Sequence, residues 1–259
     1  MLRADHGGVG LAYEEAGTGD PPVVLVHGMR CDHRHMAPVF EHLSTRHRVV
    51  NVDLRGHGES DAPHSDYSSD EMAGDLAWLA EHLGMDRPVL VGHSFGGSLS
   101  LHLATTHPEL VSGIVILDSG IRSTAEKEAE MGSAIPAGEE MPDPEVSQSF
   151  FADRLFGPDD DPATKAEILA VMGATPEHAV RAMGRTSLEF DAGAAAIECT
   201  VPALLVLADR PFTTPAMIAQ LGPNWRVGQV VGAGHFVQVF APDQVNAMID
   251  RFLELLPPR

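Results

Sequence analysis

An α/β architecture, a mostly parallel central sheet with helices on both faces, follows from three observations in the sequence. Short continuous apolar runs rich in Val, Ile and Leu recur, each of a length that suits a strand covered on both faces. Stretches with apolar residues at helical spacing stand between them. Gly-rich or turn-forming residues follow directly after several of the runs, and the strict alternation of the two element types calls for right-handed crossovers within one sheet.

Taken in order, the stretch from Gly10 to Ala16 alternates weakly and ends in the turn cluster Gly17-Thr-Gly-Asp-Pro-Pro22, the pattern of an edge strand. Val23-Val-Leu-Val26 is the first interior strand. A loop from Met29 to Cys31 leads to a helix over residues 33–45, with Met36, Val39, Phe40 and Leu43 on its apolar stripe. Residues 47–54 read as the next strand, and residues 69–83 as a helix with Met72, Leu76, Leu79 and Leu83 inward, closed by Gly84. A strand ending at Gly92, its following helix, and a strand over residues 111–117 that stops at Asp118 complete the first half. Between Gly120 and Cys199 no β-branched run occurs, and short helical patterns at 150–156, 164–172 and 176–183 alternate with Gly, Pro and Asp clusters. We read residues 120–199 as a helical insertion and residues 1–119 with 200–259 as the core. The Asp159-Asp-Asp161 cluster in the insertion reads as a solvated acidic loop rather than a cation site. The sheet resumes over 201–208, a short helix reaches Leu221, a last strand covers 226–231, and an amphipathic helix spans 242–256 with Val245, Met248, Ile249 and Phe252 inward.

The 259 residues, 44% of them hydrophobic, suffice for one large core. Lys and Arg total 17 against 37 Asp and Glu, and the resulting charge of −20 repels phosphate backbones and anionic lipids alike. Neither nucleic acid nor membrane is an expected partner, and the acidity says nothing direct about a substrate. Two cysteines, Cys31 and Cys199, lack paired spacing and give no disulfide framework or zinc site. The N-terminal residues lack an apolar signal-like core and no long apolar run occurs, so the sequence predicts a soluble, cytoplasmic protein.

The chemistry concentrates at Gly92-His-Ser94-Phe-Gly96. A buried strand that turns abruptly small around a serine is the pattern of a strand–turn–helix elbow, which holds the serine in a strained conformation only small neighbours permit. The helix that follows directs its N-terminus at any negative charge developing there.

Four stations resemble the α/β-hydrolase superfamily: His27-Gly28-Met29, Asp53-Leu-Arg-Gly-His-Gly-Glu-Ser60, the serine elbow, and Gly234-His235. The resemblance implies that fold across essentially the whole chain, with a helical cap inserted after the sixth family strand, and a cofactor-independent, metal-free serine hydrolase. It makes Ser94 the nucleophile, His235 the general base, and the backbone N–H groups of Met29 and Phe95 the oxyanion hole. His27 and His57 read as braces of loops beside the site, His93 as an elbow packing residue, and Asp32, His33 and His35 as surface residues. The third catalytic member stays open. The position where the family commonly carries its acid is occupied in Ala208-Asp-Arg-Pro211 by proline. Asp118, at the end of the strand after the nucleophile helix, is preferred; Asp209 is the alternative. Met131, Met141, Phe150, Phe151, Phe156, Met172 and Met183 offer the cap an apolar roof, and the lack of a basic cluster there favours a neutral substrate. The expected reaction is hydrolysis of a small ester or lactone through an acyl-enzyme. Carbon–carbon hydrolysis of a diketone-like substrate, ligand binding without turnover, and cofactor-free chemistry other than hydrolysis are the alternatives.

Overall fold

A computed structural model of the protein describes residues 1–125 and 154–257. The predicted roof residues Met131, Met141, Phe150 and Phe151 lie outside them. The strands are β1 (Leu2–His6), β2 (Val9–Ala16), β3 (Val23–Val26), β4 (Val49–Val52), β5 (Val89–His93), β6 (Gly113–Leu117), β7 (Ala203–Leu207) and β8 (Trp225–Gln229). They form one sheet in the order β1-β2-β4-β3-β5-β6-β7-β8. β1 and β2 run antiparallel to their neighbours and the other pairs are parallel. The mixed, mostly parallel α/β sheet is thus as expected.

Side chains alternate across the sheet with a period of two, and each parity feeds a different core. Val24, Val26, Leu90, Ile114, Ile116 and Leu205 face one side. There they meet α2 (Ser69–His82), α3 (Phe95–Thr106) and α6 (Ala192–Glu198) through Met72, Leu76, Leu79, Leu99 and Ala196. Val23, Leu25, Val89, Val91, Val115 and Val206 face the other, against α1 (Ala37–Leu43), α8 (Val237–Phe240) and α9 (Pro242–Glu254) through Val39, Leu43, Val237, Val245 and Ile249. Strands buried on both sides are continuous apolar runs because neither face meets water.

Several boundaries differ from the sequence reading. The helix expected over 33–45 divides into a 3-10 turn, His33–Met36, and α1, with Pro38 in the first turn of α1 where its missing N–H costs nothing. β1 was not anticipated; it is a largely exposed edge strand that pairs antiparallel with β2, buries Ala4, and reaches α2 through His6, which bonds Asp75 at 2.8 Å and stacks on Trp78. Between β6 and β7 the described part of the insertion contributes α4 (Pro162–Ala174), α5 (Glu177–Glu189) and α6, while α7 (Pro215–Ile218) follows β7. Of the roof candidates, Met183 is fully buried in the larger core, and Phe156 and Met172 pack with Cys31, Leu155, Ile168 and Phe236 in a separate small cluster. These three side chains fill packing positions.

Candidate active site

β5 delivers Ser94 to the carboxyl end of the sheet with φ 51° and ψ −117°, outside the regions an L-residue normally occupies. The glycines explain how that conformation is tolerated. A Cβ at Gly92 would strike the Gly96 carbonyl, one at Gly96 would strike the carbonyls of Val26 and His27, and one at Gly97 would crowd Ile116 and Ser119. The elbow is therefore wedged between β3 and β6. Ser98 N–H closes the first turn of α3 on the Ser94 carbonyl at 3.1 Å, and Ser119 Oγ donates to the same oxygen at 2.7 Å.

Asp118 and His235 meet. His235 Nδ1 lies 2.8 Å from Asp118 Oδ2, and both residues are buried. The second carboxylate oxygen accepts the Ala208 amide at 3.1 Å, which fixes the rotation of the carboxyl group. Asp118 itself has φ 42°, a left-handed conformation that aspartate tolerates better than most residues. Asp209 is exposed and instead accepts the Gly232 amide at 2.9 Å. Of the two candidate acids, Asp118 is the one beside His235.

His235 also touches the elbow. His93 Nε2 donates to the His235 carbonyl at 3.0 Å, and the two rings lie 4.6 Å apart. Burial holds the His93 imidazole well below its usual pKa, so it is neutral and carries its proton on Nε2 for this bond. Its expected packing role is joined by this bond to the backbone of His235.

The loop after β3 closes the other side. A Cβ at Gly28 would lie 3.2 Å from Ser94 Cβ and 2.9 Å from His93 Nδ1, so only glycine lets this loop approach the elbow. Met29 follows directly, and Phe95 opens α3, where its N–H has no intrahelical acceptor. His27 and His57 brace this loop as expected. His27 Nε2 accepts the Leu54 amide at 3.0 Å, and His57 Nε2 accepts the Arg30 amide at 2.9 Å. Burial pushes the His57 pKa down to about 3 and lowers that of His27, so both act as neutral acceptors.

Two expectations need correction. Asp32 and His35 are buried, not surface residues: Asp32 caps the 3-10 turn by accepting the Arg34 amide at 3.1 Å, and His35 Nδ1 accepts the Asp32 amide at 3.2 Å. His33 is half-buried and binds Asp53 at 2.9 Å. Within the acidic cluster, Asp160 is also buried, with its carboxylate on the amides of Gly157 and Gly234. Sequence reasoning also passed over Arg55, whose guanidinium lies fully inside and forms a two-point bond with Asp75 at 2.6 and 2.7 Å. Phe212 was missed as well. Its ring meets His235 edge-on at 4.8 Å and carries the Arg154 guanidinium 4.9 Å from its centre.

A family profile described as the alpha/beta hydrolase fold matches residues 21–166. The 2-(acetamidomethylene)succinate hydrolase of Mesorhizobium japonicum is 29% identical, over 97% of this chain and 94% of its own length. A thermophilic esterase from Thermogutta terrifontis superposes with a TM-score of 0.83 at 25% identity, over 98% of each chain. The enol-lactonase from Burkholderia xenovorans shares the fold with a TM-score of 0.81 at 23% identity, over 98% of this chain and 100% of its own. Because the profile match alone runs through the elbow and the loops after β3, β4 and β6, over more than half of the sequence, this chain belongs to the alpha/beta hydrolase fold family.

Proposed function

We propose that the protein hydrolyses a small carboxylic ester or lactone through an acyl-enzyme formed on Ser94. The observation that carries this reading is the buried 2.8 Å bond between Asp118 and His235, set beside a serine in a strained elbow. With its Nδ1–H given to Asp118, the His235 ring presents Nε2 as a base. Ser94 Oγ attacks the carbonyl carbon while its proton passes to Nε2, and the carbonyl oxygen takes up negative charge against the N–H groups of Met29 and Phe95. Collapse expels the alcohol, which takes the proton from Nε2. Water then adds to the acyl-enzyme by the same route and frees the acid. In this reading residues 120–199 form a cap over the acyl pocket, and no cofactor takes part.

A second reading draws on the relative that acts on 2-(acetamidomethylene)succinate. The same groups would cleave the C–N bond of an acylamino substrate that carries carboxylates. Arg154, stacked on the ring that faces His235, supports it by bringing a cation near the site.

The deciding experiment treats the protein and Ser94→Ala with a small fluorophosphonate, reads intact mass, and follows nitrophenol release from short and medium acyl esters. One adduct per wild-type chain, none on the variant, and turnover by the wild type alone are expected. A folded wild type that takes no adduct refutes the acyl-enzyme, and ester turnover that survives in Ser94→Ala would point to serine-independent chemistry.

A further inference from the structure

His235 is restrained through three of its groups. Its ring is held by Asp118 and its carbonyl by His93, while its amide donates to the Leu155 carbonyl at 2.8 Å. This last bond comes from the strap of chain, residues 155–161, that leads into α4. Asp160 in that strap is only 3% exposed although it stands in a row of three aspartates. Its Oδ2 accepts the Gly157 amide at 2.7 Å, and its two oxygens share the Gly234 amide at 3.2 and 3.3 Å. A Cβ at Gly234 would strike the Gly157 amide, the Asp160 carboxylate and the Leu155 carbonyl, so strap and base loop are in direct contact. Phe156 adds a stack on Phe236, next to the histidine, at 5.7 Å and 15°.

The strap is in turn gripped by α4, since Lys165 Nζ donates to the Gly157 carbonyl at 2.8 Å. At the opposite end of that helix the Met172 carbonyl accepts from Arg30 Nε at 2.9 Å, and Arg30 follows Met29. One helix thus bears on the loop that carries His235 and on the loop that carries the Met29 amide. Burying a carboxylate is costly unless its oxygens are satisfied, and here they bind amides of the strap and of the base loop.

We propose that Asp160 is a positioning residue for His235, and that α4 with its strap is a strut setting the spacing between the base loop and the oxyanion loop. This rests on the acyl-enzyme reading, because the strut acts on a proton transfer from Ser94. A displacement of an ångström at a base is enough to slow chemistry by two orders of magnitude.

The test compares Asp160→Asn with the exposed neighbour Asp159→Asn. Each variant is assayed for kcat and KM on a short-acyl nitrophenyl ester, and for the rate and stoichiometry of fluorophosphonate labelling. In Asp160→Asn, kcat and the labelling rate constant are expected to fall together by about 10- to 100-fold, with KM within about twofold and full final stoichiometry. Asp159→Asn is expected to match the wild type. Unchanged rates in folded Asp160→Asn overturn the proposal, as does a loss confined to the fraction of protein that labels, which marks a residue that only supports the fold. Should Asp160→Asn fail to fold, Lys165→Met releases the strap from α4 and keeps a good helix former. A slower labelling rate supports the strut, and an unchanged one overturns it. A wild type that takes no label defeats the acyl-enzyme reading itself, and the proposal with it.

Discussion

Replacing Asp118 by asparagine tests the assignment of the acid, and the surrounding bonds dictate the outcome. Asparagine suits the left-handed backbone at this position, where φ is 42°, so the fold is expected to persist. The Ala208 amide, now 3.1 Å from one carboxylate oxygen, needs an acceptor and will select the amide oxygen of asparagine. The new NH2 group then points at His235 Nδ1, which was 2.8 Å from the other oxygen. Facing a donor, Nδ1 must keep its lone pair and the ring proton moves to Nε2, the atom required to receive the serine proton. The wrong tautomer is therefore built in. In the serine-protease example the corresponding change lowers kcat about 10⁴-fold, and a loss of about 10³- to 10⁴-fold is expected here, roughly 4–5.5 kcal/mol of barrier. The assay is ester turnover alongside circular dichroism, with Asp209→Asn as comparison. Asp209 is exposed and its carboxylate accepts the Gly232 amide, away from His235, so its variant is expected to stay within about twofold. More than a tenth of wild-type kcat in Asp118→Asn, or a collapse in Asp209→Asn, would refute the reasoning.

Two further expectations concern stability. Arg55→Met removes the two-point partner of the buried Asp75 carboxylate, which keeps His6 Nδ1 at 2.8 Å, and is expected to cost about 3 kcal/mol, read as a lower urea midpoint at unchanged m; an unchanged midpoint contradicts it. His57, pushed down to about pKa 3 by burial, refuses a proton that the unfolded chain accepts below its ordinary value near 6.5. Its contribution is complete above that pH and is lost as the pH falls towards 3, at up to about 1.4 kcal/mol per pH unit. Urea midpoints at pH 7.5, 6 and 5 should decline, and a flat series would rule this out.

The elbow was legible because its constraint is local: Gly92 and Gly96 are dictated by carbonyls that any residue with a Cβ would strike. The interior strands were legible for a similar reason, burial on both faces leaving an unmistakable apolar run. Asp118 was legible only in part, since its bond joins residues 117 positions apart and a turn aspartate looks the same in sequence. Asp160 was misread because its neighbours are solvated, and the amide that draws it inward lies 74 residues away. β1 escaped notice because it shows no apolar pattern: Ala4 alone of its five residues is buried, and the rest of its support is pairing with β2 and the polar contacts of Arg3 and His6.

The strand order has a consequence for how the protein would fail. β8 is the outermost strand, paired only with β7, and between its buried Trp225 and its end most of it is exposed. Edge elements with few buried contacts open at lower free energy than the interior of a sheet. The loop that follows β8 carries His235, whereas Ser94 and Asp118 come directly after the interior strands β5 and β6. Fraying of this one margin would draw the histidine away from its partners while the rest of the sheet stayed paired. Heat should therefore silence the protein some degrees before it melts, and cooling from that interval should restore it.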